Sequence, residues 1–292
     1  MAGLLTEPRG VGSPSLNELF VIIIFMSELQ AHLEICEKAV RSAGATIQDW
    51  IGKTSVQHKG PADFVTEADF AAQEVVKTTV LQTFPHHSVL SEEDQLAGDT
   101  PSKTDYRWIV DPLDGTTNFV HGIPHYAVSL ALEHRGKVLV GAVFDPSLNE
   151  CFTAAVGRGT FLNGRPIRTS SSNRLSEVIA GSCFPARLQH DSPDLVMFNK
   201  VLFRCQGIRR TGSASLNLCD VAAGRYGVLW GFSTKIWDIA AGVLLVQEAG
   251  GIVTSPEGGP VDLGTGRFLA SANQDLHQQL LELVREMGDG CR

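Results

Sequence analysis

The sequence predicts a layered α/β fold, and three features of its pattern carry that prediction. In the second half, short apolar strands at 178–181, 228–230, 251–254 and 268–270 are interleaved with helical runs at 216–224, 239–249 and 275–287. That alternation is expected of helices packed on sheets. In the first half, apolar runs at 126–133 and 138–144 are joined at Arg135-Gly136, and Asn163-Gly164 marks a further tight hairpin. At 292 residues with 43% hydrophobic content, the chain has core enough for one large or two modest domains.

Ser27-Glu28-Leu29-Gln30 has the form of a capping box, and Leu29, Leu33, Cys36, Val40, Ala43 and Ile47 then recur at steps of four and three. A first helix is therefore expected over 27–50, with 1–26 ahead of it as a tail or extension. A polar loop at 53–61 leads to a second helix through 68–81, whose entry Asp63 and Asp69 flank. Asp63 reads either as the N-cap or as a catalytic carboxylate. An apolar strand at 88–90 precedes Ser91, Glu92 and Glu93, and another at 106–110 must break at Asp111, because Pro112 cannot extend a ladder. Ser170-Ser171-Ser172-Asn173 is the most linker-like stretch. It divides the chain into an N-terminal α+β domain at 27–172 and a C-terminal α/β domain at 173–292. Asp238 reads as the N-cap of the helical run from Ile239, and Gly250-Gly251 as its close.

A net charge of −8 argues against nucleic acid as a partner and suits an acidic pocket that collects cations. The six cysteines form no CxxC pair and no zinc spacing, which points to reduced thiols and a cytoplasmic location. His86-His87 reads as a polar loop, and His121 and His125 as packing or supporting residues, since Mg²⁺ prefers oxygen. The apolar run at 19–26 is too short to span a bilayer and lacks signal-peptide flanks, so no membrane partner is expected.

Asp111-Pro112-Leu113-Asp114-Gly115-Thr116-Thr117-Asn118-Phe119 carries the chemistry: two carboxylates at a strand end, then a glycine and threonines that open a turn. Oxygen ligands of this kind hold hard divalent cations, and the free amide groups of the turn favour phosphate. Together with Asp63-Phe64-Val65-Thr66-Glu67-Ala68-Asp69, Glu92-Glu93 and Trp237-Asp238, this motif resembles the inositol monophosphatase family from about residue 27 to the C-terminus.

The resemblance implies an αβαβα sandwich with the site at the domain junction, a homodimer, lithium sensitivity and two or three Mg²⁺ ions. Carried over residue by residue, it assigns Glu92, Asp111, the Leu113 carbonyl and Thr116 to the first ion, and Asp111, Asp114 and Asp238 to the second. Glu92 also belongs to the catalytic set, and Thr116, hydrogen-bonded to Asp63, would help activate the attacking water. The Gly115 and Thr116 amides would take a phosphate oxygen. The sugar would meet the turn Gly212-Ser213-Ala214, with Leu113 and Asp238 beside it. Glu93 would serve a third ion or stand solvated. The implied activity is Mg²⁺-dependent hydrolysis of a small phosphorylated metabolite, foremost inositol 1-phosphate, by direct water attack. Histidinol phosphate, fructose bisphosphate and 3′-phosphoadenosine 5′-phosphate are alternative substrates, and a non-catalytic partner-binding relative is the alternative of another class. One departure stands out: Gly231 occupies the position where the family commonly carries a polyol-binding glutamate, for which Ser233 or Lys235 would have to substitute.

Overall fold

The structure, a computed structural model, describes residues 16–53, 56–60, 63–97, 104–185 and 187–288. The side chains of 16–25, 56–60, 63 and 95–97 lie outside this description. Helix α1 (Leu16–Asp49) is followed by the ribbon β1 (Val56–Gly60) and β2 (Asp63–Thr66), then α2 (Glu67–Thr83), β3 (Ser88–Ser91), α3 (Glu92–Ala97), β4 (Tyr106–Asp114) and α4 (Thr116–Val120). Five strands complete the first sheet: β5 (Ala127–His134), β6 (Lys137–Asp145), β7 (Glu150–Ala155), β8 (Gly159–Leu162) and β9 (Arg165–Ile167). Beyond them come β10 (Ile179–Cys183), α5 (Pro193–Leu202), β11 (Gly207–Arg209), α6 (Ala214–Ala222), β12 (Val228–Gly231), α7 (Ile236–Glu248), β13 (Ile252–Thr254), β14 (Phe268–Ser271) and α8 (Gln274–Arg285).

Five layers result, the αβαβα sandwich. Helices α1 and α2 cover one face of a seven-stranded sheet ordered β3-β4-β5-β6-β7-β8-β9, burying Leu29, Cys36, Val40 and Ile47 against Trp108 and Leu130. Helices α6 and α7 fill the space between this sheet and a five-stranded one ordered β11-β10-β12-β14-β13. Helices α5 and α8 close the far face over Met197, Trp230 and Leu276. Each fully buried Leu or Ile of these seams contributes about 1.5–3 kcal/mol. The connection from 168 to 178, which contains the expected domain boundary, joins the two sheets, and α7 packs across the first sheet as well as the second.

The hairpins form where their turns predict. Asn163 and Gly164 both take positive φ, +48° and +75°, the geometry that matches strand twist, and the Asn163 carboxamide accepts from the Cys151 N–H at 3.0 Å. Several expectations need correction. Helix α1 begins at Leu16, so Ser27 lies inside it and caps nothing; the apolar run that precedes Ser27 continues the helix. The expected loop at 53–61 contains β1, which pairs antiparallel with β2. Thr66, not Asp63, caps α2, because Asp63 is already the first residue of β2. Helix α7 starts at Ile236 with Lys235 as its N-cap, which places Asp238 in the first turn. His87 is no solvated loop residue: its ring stacks between Phe84 and Tyr106, and its Nδ1 accepts from Trp108 Nε1 at 3.1 Å. Among the described residues, no helix is long and apolar enough to cross a membrane, and five of the cysteines are free thiols.

Candidate active site

Parallel pairing of β3 and β4 fixes the first half of the site. Ser91 stands opposite Val110, so Glu92 and Asp111 emerge side by side from the C-terminal ends of neighbouring strands, where open α/β sheets bind their ligands. Strand β4 does not break at Asp111. A bulge over Pro112 and Leu113 absorbs the residue that cannot donate, and pairing with β5 resumes at Asp114. The Asp111 carboxylate, 2% exposed, accepts from the Leu113 N–H at 3.1 Å, bracing that bulge from inside. Gly115 follows with φ +91°, and a Cβ there would lie 3.0 Å from the His125 carbonyl, so the position requires glycine.

Thr116 opens α4 with its hydroxyl 2.9 Å from the Leu113 carbonyl and 3.3 Å from Asp69 Oδ1. The side chain of Asp63, the expected partner of Thr116, lies outside the described residues; the carboxylate that the structure describes beside the Thr116 hydroxyl is Asp69. Asp69 is 1% exposed, and its other oxygen accepts from the Thr66 N–H at 2.8 Å and the Thr66 hydroxyl at 2.7 Å. The reciprocal cap that starts α2 thus also aims a buried carboxylate at Thr116. A T-x-x-D pattern at Thr66 and Asp69 marks this capping carboxylate in the sequence.

Asp114 joins the two halves of the molecule. Its Oδ2 accepts from the Ser213 hydroxyl at 2.6 Å, the Ser215 N–H at 2.7 Å and the Ser215 hydroxyl at 2.5 Å. Ser213 also caps α6, accepting from Leu216 N–H at 3.2 Å. Ser213 therefore holds a carboxylate, and Ser215, which motif reading missed, does the same. Asn118 adds a second tie, donating to the Thr211 carbonyl at 2.8 Å and the His125 carbonyl at 2.7 Å.

Asp238 accepts from the Lys235 N–H at 2.7 Å. Burial pushes its carboxyl well above the usual carboxylate range, and the nearby charges of Asp114 and Glu92 push it further. Glu93 is buried, which rules out the solvated alternative for it. Burial, with Asp114 and Asp238 adding to it, also raises the Cys183 thiol, which leaves it protonated and inert.

One cleft of about 820 Å³ collects these groups. Glu92, Asp111, Leu113, Asp114, Gly115, Thr116, Gly212, Ser213, Ala214 and Asp238 all line it. Among the described residues, no three His, Cys, Asp or Glu side chains stand close enough to form a metal cage as they are. The donor set nevertheless fits a hard cation. It consists of oxygen atoms, and a positive ion would offset the burial and the neighbouring carboxylate charges that raise Asp238. Gly231 does not reach the cleft: a Cβ there would meet Phe268 Cε1 at 2.9 Å, Thr234 Cγ2 at 3.0 Å and Cys183 Cβ at 3.1 Å. Ser233, Thr234 and Lys235 line it instead.

Sandwich and cleft together define a protein of the sugar-phosphatase type. The chain belongs to the inositol monophosphatase family, whose profile matches residues 28–289. It is 43% identical over 263 residues to the Nus factor SuhB of Pseudomonas aeruginosa, covering 88% of this chain and 97% of that protein. It is 40% identical over 262 residues to the inositol-1-monophosphatase of Rhizobium meliloti, covering 87% and 96%. The crystal structure of extragenic suppressor protein SuhB from Bartonella henselae superimposes with a TM-score of 0.82 at 37% identity, covering 88% of this chain and 99% of that one. These relationships support a phosphatase and leave the substrate open.

Proposed function

We propose that this protein is a Mg²⁺-dependent phosphomonoesterase that hydrolyses small polyol and sugar phosphates, inositol 1-phosphate among them, by direct attack of water. Glu92, Asp111, the Leu113 carbonyl, Thr116, Asp114 and Asp238 would hold the ions. Bound Mg²⁺ supplies charge neutralisation for the phosphoryl group and lowers the pKa of water. The remaining work falls to the chain. Thr116 passes its proton toward Asp69 and can then orient and deprotonate the incoming water, while Thr66 keeps Asp69 fixed through two hydrogen bonds. The Gly115 and Thr116 amides at the start of α4 hold a phosphoryl oxygen. No side chain in this set needs to form a covalent phosphoryl intermediate.

The observation that carries the reading is the contact of the buried Asp69 with the half-buried Thr116 beside an oxygen-only donor cluster at the ends of β3 and β4. Relatives called Nus factors favour a second reading, in which the chain works by binding a partner. The intact carboxylate set argues for turnover. Phosphate release from inositol 1-phosphate, glycerol 2-phosphate, histidinol phosphate and a phosphodiester tests the proposal. Hydrolysis confined to monoesters is expected; diester cleavage, or none at all, speaks against it.

A further inference from the structure

Helix α2 carries a polar stripe along one face. Asp69, Gln73 and Lys77 follow one another at steps of four, which stacks their side chains on the side that meets the ends of β3 and β4. Asp69 reaches Thr116, just past β4. Four residues on, Gln73 is 4% exposed and spans two partners. Its Oε1 accepts from the hydroxyl of Ser91, the fully buried last residue of β3, and its Nε2 donates to Asp94 Oδ1 at 3.0 Å. Lys77 Nζ, one turn further, donates to both Asp94 oxygens, at 2.9 Å to Oδ1 and 2.8 Å to Oδ2, with Glu74 at 3.8 Å. Glu92 lies between these two anchors: Ser91 precedes it, and Asp94 follows it in the first turn of α3. That turn sets Glu92, Glu93 and Asp94 in succession, a run of like charges that repels itself. An isolated surface ion pair contributes little. Here the lysine is joined through Asp94 to a buried amide, whose other end takes the hydroxyl next to Glu92.

We infer that Gln73 and Lys77 are positioning residues for the cation site: they hold the turn that presents Glu92 and so set how tightly Mg²⁺ binds. The inference rests on the reading of Glu92 as a Mg²⁺ ligand. A helix of six residues has little stability of its own, so the direction of Glu92 is fixed by the ties on either side of it. Groups behind a metal ligand act in this way, by orienting it. One helix then serves both parts of the centre, aiming Asp69 at Thr116 and bracing Glu92. Charge alone would have the opposite sign: a lysine near the site opposes a cation, so its removal would tighten binding if it acted only through its field.

Calorimetric titration of Mg²⁺ into the full chain, stripped with a chelator and free of substrate, tests it in Lys77→Met, Lys77→Arg and Gln73→Glu. Lys200→Met is the control, since it removes a lysine charge from the Lys200–Glu286 pair on the far face. Lys77→Met and Gln73→Glu should each weaken Mg²⁺ binding about tenfold, the low end of what partners behind metal ligands contribute, although both make the surroundings more negative. Lys77→Arg keeps a charged donor and should stay within about threefold of wild type. Lys200→Met should leave binding unchanged. With inositol 1-phosphate, the Mg²⁺ concentration for half activation should rise by the same factor as the dissociation constant, while kcat at saturating Mg²⁺ stays within about threefold. Unchanged or tighter binding in Lys77→Met overturns the inference, and so does equal weakening in Lys200→Met. Should Gln73→Glu fail to fold, the two Lys77 variants decide, at a side chain that is 24% exposed. A wild-type chain that binds Mg²⁺ but hydrolyses no phosphomonoester overturns the phosphatase reading alone; one that binds no Mg²⁺ overturns both.

Discussion

The two walls of the cleft differ in how tightly they are built and in what they are made of. On the first, the strand ends of β3 and β4 and the start of α2 hold Asp69 and Asp111 almost fully buried, each fixed by backbone or hydroxyl donors. On the second, the segments after β10, β11 and β12 present exposed cations and a few hydroxyls, while Gly231 at the end of β12 is closed off by Phe268, Thr234 and Cys183. Groups that must act on a reacting atom need fixed geometry, whereas groups that select a substrate tolerate exchange. On the proposed phosphatase reading, reaction type falls to the first wall and substrate choice to the second, with Asp114 and its serine donors as the seam.

The largest expected effect tests the first wall. Asp111→Asn should lower kcat at saturating Mg²⁺ by at least about 10³-fold, because an amide is a neutral and poorer ligand for a hard cation. Steady-state phosphate release checks it, and activity within tenfold of wild type would remove Asp111 from the metal site. Asp69→Asn comes next. With the proton acceptor behind Thr116 gone, kcat should fall about 10²- to 10⁴-fold while KM changes little. A matching loss in Asp63→Asn with Asp69→Asn near wild type would give the role to Asp63 instead.

On the second wall, Gly231→Glu should fail to create an inositol preference. Its side chain meets Phe268, Thr234 and Cys183, so the fold should lose about 1–3 kcal/mol, read as a lower midpoint in urea. A stable variant with a tenfold gain for inositol 1-phosphate would show that the position opens onto the cleft. The smallest effect concerns the back of the first sheet. Burial, with His32 and His86 nearby, lowers His87 from 6.5 to about 4. The unfolded chain therefore binds the extra proton first, so stability is complete above about pH 6.5 and declines as pH falls toward 4. After allowance for partial exposure, the loss is about 1–2 kcal/mol, and His87→Phe should flatten that limb of a stability-versus-pH curve.

The first wall was legible because its constraints are local. A proline between two aspartates, a glycine at positive φ and a hydroxyl cap all leave a mark at fixed spacing. The contact between Asp69 and Thr116 was not foreseen for a tertiary reason: only folding brings the first turn of α2 to the start of α4. Helix α1 was cut short because an apparent cap at Ser27 can sit inside a longer helix when apolar residues continue on both sides. Ser215 was invisible, since only folding brings the α6 N-terminus to a carboxylate one hundred and one positions away. The second wall was least legible. Its residues come from three separate segments, and cations such as Arg187 and Arg210 carry no periodicity until a cleft collects them.

The most direct test of the central claim is a Mg²⁺ titration of the full chain with inositol 1-phosphate, following phosphate release after prior treatment with a chelator. Saturable activation from a near-zero baseline, reversed by renewed chelation, is the predicted result. Release that proceeds equally well without the ion, or no release at any Mg²⁺ concentration, would contradict it.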